Sequence, residues 1–181
     1  MPSTAPSPET LTLGSDGRVP NSVLPVLIYR ELPLHGDRAE AFESLFGSHL
    51  WPPRWRYGIY DYHHYHSTAH EALGVAKGWA KVRLGGERGQ TVDLRAGDAV
   101  VLPAGIGHCQ IEASDDFMVV GAYPPDQEPD LLRPERDDHD AAQQRIADLP
   151  LPISDPVAGT QGALIQLWRD AAKQDQSTKV T

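Results

Sequence analysis

A chain of 181 residues can bury one core without staples. Its formal net charge of −9, with no block of lysine or arginine, excludes the basic stripe that nucleic acids and anionic membrane surfaces select. No apolar run approaches the ~20 residues of a membrane-spanning helix, and the one cysteine, Cys109, excludes an internal disulfide and fits a reducing compartment. Residues 1–17 show neither the basic nor the apolar segment of a secretion signal, so the expected location is the cytoplasm. The expected partner is a small molecule or a second copy of the chain.

In chain order, residues 1–20, with Pro2, Pro6 and Pro8 among serine and threonine, read as a tail. Val26 to Tyr29 is a β-rich run, and Pro25 just before it predicts an edge strand. From Asp37 the sequence predicts a short helix. Asp37 is its N-cap, Glu40 completes a capping box, Ala41, Phe42, Leu45 and Phe46 form the apolar stripe, and Gly47 is the stop. Then glycines at 58, 74, 78, 85, 86, 89, 97, 105, 107 and 121 fall at intervals suited to short strands, which predicts an all-β sandwich or barrel. Residues 79–105 read as two successive hairpins and 115–125 as one further strand ended by Pro124. Residues 134–149 and 162–173 predict two helices, the second with Leu164, Leu167, Trp168 and Ala171 on one side; 174–181 reads as frayed.

The densest chemistry lies between residues 63 and 70, which hold four of the eight histidines. Alternation along a strand puts His64 and His66 on one face. Glu71 follows the loop Ser67-Thr68-Ala69, where a returning strand brings it near them. Two imidazoles and a carboxylate converging in this way form a facial pattern that borderline divalent ions favour. His108, presented by a turn through Pro103 and Gly105, is a fourth candidate. His63 and His70 have the opposite parity; a bulge in the loop would make His70 the alternative to Glu71. Tyr60 and Tyr62 share the parity of His64, so either they offer hydroxyls to a substrate or they pack in the core. Cys109 faces away from His108 and reads as a buried, inert thiol, and the acidic run 137–140 as a solvated helix start.

Two patterns carry a resemblance. Gly58, His64, His66, Glu71 and Gly78 have the spacing of the first cupin motif, and Gly97, Pro103, Gly105 and His108 that of the second. Glu112 stands where cupins often have asparagine. Over residues 16–30, 63–75, 97–108, 114–125 and 154–168 the chain is similar to the uncharacterised YjlB-like branch of that superfamily. The resemblance implies an all-β fold, a double-stranded β-helix (jelly-roll) barrel with a short N-terminal helix and C-terminal helical extensions. It suggests a tail at 1–20, the barrel with its N-terminal strand and helix at 21–124, and a helical extension at 125–181. It also implies that His64, His66, Glu71 and His108 hold one divalent transition ion: iron, manganese, nickel, cobalt or zinc. Glu71, Tyr60 and Tyr62 are the candidate catalytic groups. The expected activity is dioxygenase-type chemistry on a small polar or anionic metabolite. The alternatives are an isomerase or lyase using the ion as a Lewis acid, or a non-catalytic cupin that binds a small ligand. A homodimer is expected, with Val26 to Tyr29 as the strand that crosses over.

Overall fold

The computed structural model describes residues 6–180; residues 1–5 of the expected tail and Thr181 of the expected frayed end lie outside the described residues. Nine strands follow in the order β1 (Glu9–Leu13), β2 (Ser22–Tyr29), β3 (Pro53–Tyr57), β4 (Glu71–Lys77), β5 (Trp79–Leu84), β6 (Gln90–Arg95), β7 (Ala99–Leu102), β8 (His108–Ala113) and β9 (Met118–Ala122). Helix α1 (Arg38–Ser48) precedes β3, and α2 (His139–Asp148) and α3 (Ala163–Lys179) close the chain. The strands form two antiparallel sheets, ordered β1-β2-β7-β4-β9-β3 and β6-β5-β8. The architecture is the expected jelly-roll barrel with helical additions. No helix among the described residues is long and apolar enough to cross a membrane.

The inner strands of the six-stranded sheet, β2, β7, β4 and β9, are buried on both faces, which is why they read as nearly unbroken apolar runs. Val26 and Ile28 of β2, Leu73 and Val75 of β4 and Val119 of β9 point between the sheets, where they meet Val82, Leu84 and Leu94. Leu27 and Tyr29, Ala72 and Ala76, and Val120 and Ala122 point the other way, under Phe42 and Phe46 of α1 and Leu164 and Trp168 of α3. That period of two decides where each neighbour of Glu71 goes. Phe42 lies so close to β4 that a Cβ on Gly74 would stand 2.4 Å from its ring.

Four expectations are corrected. The segment expected as a tail contains β1, which pairs Glu9 with Ile28 and Leu11 with Val26. β2 is therefore no edge strand: β1 covers one side and β7 the other. Pro25 is tolerated because the β1 ladder is irregular between Leu11 and Leu13 and β7 pairs only with Leu27 to Tyr29. With both sides paired, Val26 to Tyr29 has no free edge to offer a second copy. The second expected hairpin does not form either. After Arg95 the chain turns at Gly97 and enters the other sheet, where β7 pairs with β2 and β4.

Helix ends differ in detail. Asp37 caps α1, its side chain accepting from Glu40 N. Gly47 does not stop the helix; Leu50, at φ 64°, does, with Leu50 N donating to Gly47 O and Trp51 N to Phe46 O. The burial of Trp51 against Phe46 stabilises a left-handed turn that leucine alone disfavours. Residues 174–179, expected to fray, continue α3. The segment 155–168 packs outside the barrel: Asp155 accepts from Tyr29 Oη and Leu164 N, and Trp168 Nε1 donates to Pro25 O at 2.9 Å.

Candidate metal centre

The histidine segment is not a regular strand. His64 and His108 form an isolated antiparallel bridge, exchanging both backbone hydrogen bonds, and Tyr65 forms another with Leu132. Gly105, at φ +96°, makes the turn before His108, and a Cβ there would strike Asn21 O at 2.3 Å. Its N–H donates to His66 O, which ties the two ligand-bearing segments together. Glu71 starts β4 with the inward parity of Leu73 and Val75.

The consequence is that His64, His66 and His108 offer nitrogens that all lie within 4.8 Å of one another. Each ring is held from behind. His64 Nδ1 donates to Tyr62 O at 3.0 Å, His108 Nδ1 to Ile106 O at 2.9 Å, and His66 Nδ1 to Asp130 O. With Nδ1 protonated, each Nε2 presents a lone pair to the centre. Glu71 Oε2 stands 3.4 Å from His66 Nε2 and 3.3 Å from His108 Nε2, yet no well-directed hydrogen bond reaches it. Its Oε1 accepts from Tyr123 Oη at 3.2 Å, and Trp55 Nε1 donates to that hydroxyl at 2.8 Å.

Charge is set by burial and by these neighbours. Burial, reinforced by His108, depresses His64 to about 2. Burial also lowers His66, but the Glu71 carboxylate outweighs it and leaves His66 above its ordinary value. Burial would raise Glu71; His66 and His108 hold it well below the usual carboxylate range instead. Burial and then the Glu71 charge push the Tyr123 phenol upward. The carboxylate therefore favours a positive charge at His66, while burial disfavours one at His64.

His70 is turned away from this group. It has the parity of Ala72, its ring lies 4.8 Å from that of Trp168, and its Nδ1 accepts from Ala104 N at 2.9 Å. The alternative that gave it a ligand's place is corrected: no bulge occurs at Glu71, which pairs with Leu102 in register. His63 is half-buried outside the group. Cys109 is buried, and desolvation raises its thiol.

A cavity of about 510 Å³ opens over the three histidines and Glu71, lined further by Trp55, Arg56, Tyr57, Gly58, Ile59, Tyr60, Leu73, Tyr123, Pro129, Asp130 and Leu131. Tyr60 stands at the mouth and is 44% exposed. Tyr62 lies behind it, stacked at 4.9 Å, with the Arg133 guanidinium 4.2 Å over its own ring. Two groups that matter here, Tyr123 and Asp130, escape a reading of the motifs. Tyr123 shares the inward parity of Val119 and Gly121, a signal present in the sequence. Asp130 has none: its carboxylate accepts from Ser67 N and Oγ, and this anchors a loop whose carbonyl holds His66.

Comparison with known proteins agrees with the geometry. Residues 57–120 match the Cupin domain family. The chain is 34% identical to the uncharacterized protein YjlB of Bacillus subtilis over 161 residues, covering 88% of this chain and 96% of that protein. Among solved structures it is similar to an 11S allergen of Cocos nucifera (19% identity, TM-score 0.36, 50% of this chain and 31% of that one). It is also similar to the DMSP lyase DddQ of Ruegeria pomeroyi (20% identity, TM-score 0.34, 74% of this chain and 54% of that one). The chain thus spans about a third of the allergen and about half of the lyase.

Proposed function

The chain belongs to the YjlB-like family of cupins, and we propose that it is a metal-dependent enzyme of the dioxygenase type acting on a small, oxygen-bearing metabolite. His64, His66 and His108 through Nε2, and Glu71 through its carboxylate, hold one divalent transition ion: iron, manganese, nickel, cobalt or zinc. One observation supports this above all. Three buried imidazoles commit their Nδ1–H groups to carbonyls behind them, so when neutral they turn Nε2 lone pairs toward one another and toward the Glu71 carboxylate. Such groups repel in a desolvated site unless a cation stands among them.

With one carboxylate and three neutral imidazoles, a divalent ion keeps a net charge of about +1; it supplies Lewis-acid polarisation of a substrate oxygen and, as iron, redox chemistry with dioxygen. The protein's residues do the rest. Tyr123 and Asp130 orient Glu71 and His66, Tyr60 borders the path in, and we assign the Glu71 carboxylate the role of base toward a bound substrate. An isomerase or lyase would use the same site without a redox-active ion.

The test is nitric oxide titrated anaerobically into iron(II)-loaded protein and followed by electron paramagnetic resonance. An enzyme with an accessible ion gives a high-spin nitric oxide adduct. Stoichiometric iron with no adduct marks a closed structural pin and overturns the catalytic reading in favour of a ligand-binding cupin. We also propose that the chain forms a homodimer through the open edge of β1.

A further inference from the structure

The walls of the cavity restrict what the site accepts, an inference that rests on the metal-enzyme reading above. Away from the ligands they are built from Trp55, Ile59, Leu73 and Leu131, with Tyr60 at the mouth. Arg56 is the cation among the described lining residues, and it is engaged by Glu43 through two bonds of 2.7 and 2.8 Å. The Asp130 carboxylate is likewise occupied, by Ser67. A second charged group on a substrate would therefore lose its hydration against these walls and find no free counter-charge. An apolar body would gain from the same contact.

Two further features fit such a body. Tyr60 and Leu131 are 44% and 47% exposed, yet both face the cavity, and Tyr60 is backed by the stacked ring of Tyr62. Exposed side chains of this size at a cavity mouth are covered when a ligand arrives. The volume of about 510 Å³ also exceeds what a two- or three-carbon acid needs, since a cavity of about 150 Å³ already takes benzene.

We propose that the substrate is amphipathic, with one oxygen-bearing head for the ion and an apolar, ring-sized body held against Trp55, Ile59, Leu131 and Tyr60. This narrows the small polar or anionic metabolite expected from the resemblance to one whose polarity is confined to a single end.

Calorimetric titration of cobalt(II)-loaded protein with acetohydroxamate, benzohydroxamate and oxalate tests this, because the first two share a chelating head and differ in body. The ring should tighten binding at least about tenfold, about 1.4 kcal/mol. Leu131→Ala, a change at an exposed position, should reduce that preference about threefold or more while leaving acetohydroxamate binding in place. Equal affinity for the two hydroxamates, or tightest binding of oxalate, overturns the amphipathic substrate and leaves the metal site standing. An unchanged preference in folded Leu131→Ala overturns the assigned wall. Failure to take up cobalt at all overturns the metal-enzyme reading itself.

Discussion

Tyr123→Phe removes one oxygen that two groups share. Trp55 Nε1–H loses its acceptor at 2.8 Å, and Glu71 Oε1 loses its donor at 3.2 Å. Tyr123 is only 4% exposed, so water does not readily replace the hydroxyl, while the phenylalanine ring leaves no cavity. Trp55 is half-buried and finds water in part; its loss costs about 1 kcal/mol, and the undonated buried carboxylate oxygen about 1–3 kcal/mol. The second loss bears on the ion, because partners that orient a ligand are worth roughly 10–100-fold in metal affinity. The prediction is a metal Kd weakened by about tenfold or more, with metal-free protein destabilised by about 2–4 kcal/mol. Competition against a chromophoric chelator measures the first and thermal unfolding the second. Tyr60→Phe, at the exposed rim, should shift the Kd by less than about threefold. A Tyr123→Phe protein that binds metal as tightly as the wild type refutes the positioning role.

Two other predictions concern the rest of the molecule. Burial holds His70 at about 3 against an ordinary value of 6.5. The unfolded chain therefore takes up this proton below pH 6.5 while the folded one refuses it, so stability falls as pH drops from 6.5 toward 3. The loss is up to about 1.4 kcal/mol per pH unit. His70→Asn, which keeps an acceptor for Ala104 N, lacks this dependence; the gap in unfolding free energy between metal-free wild type and variant should narrow between pH 6.5 and 4.5, and parallel curves would sink the idea. The proposed homodimer predicts a light-scattering mass twice that of the chain at micromolar concentration, converted to the monomer mass by Thr10→Pro on β1; a monomeric wild type contradicts it.

How much was legible in the sequence depends on how far each contact reaches along the chain. The spacing of His64, His66 and Glu71 and the second pattern ending at His108 identified the cluster, because short-range alternation decides which of these side chains turn inward. The same parity correctly set His70 on the far face. Tyr123 was missed since its place beside Glu71 follows from the β4–β9 register, in which Ala72 opposes Ala122, and register is a tertiary choice. Asp130 was invisible for a stronger reason: it holds His66 through its backbone carbonyl, which carries no residue signature. Pro25 suggested an edge because proline lacks a donor, but the local irregularity in β1 makes that donor unnecessary. The expected β6–β7 hairpin failed because the chain crosses from one sheet to the other between β6 and β7, which no turn residue reveals.

The central claim is that the three imidazoles and Glu71 hold an ion. It is tested most directly by the metal content of untagged protein, measured by mass spectrometry beside a His64→Ala/His108→Ala double variant. Both proteins are expressed without added metal and then loaded anaerobically with iron(II). The account predicts about one transition ion per chain in the wild type and almost none in the folded double variant. A wild type that stays empty after loading, or a double variant that retains its ion, contradicts it.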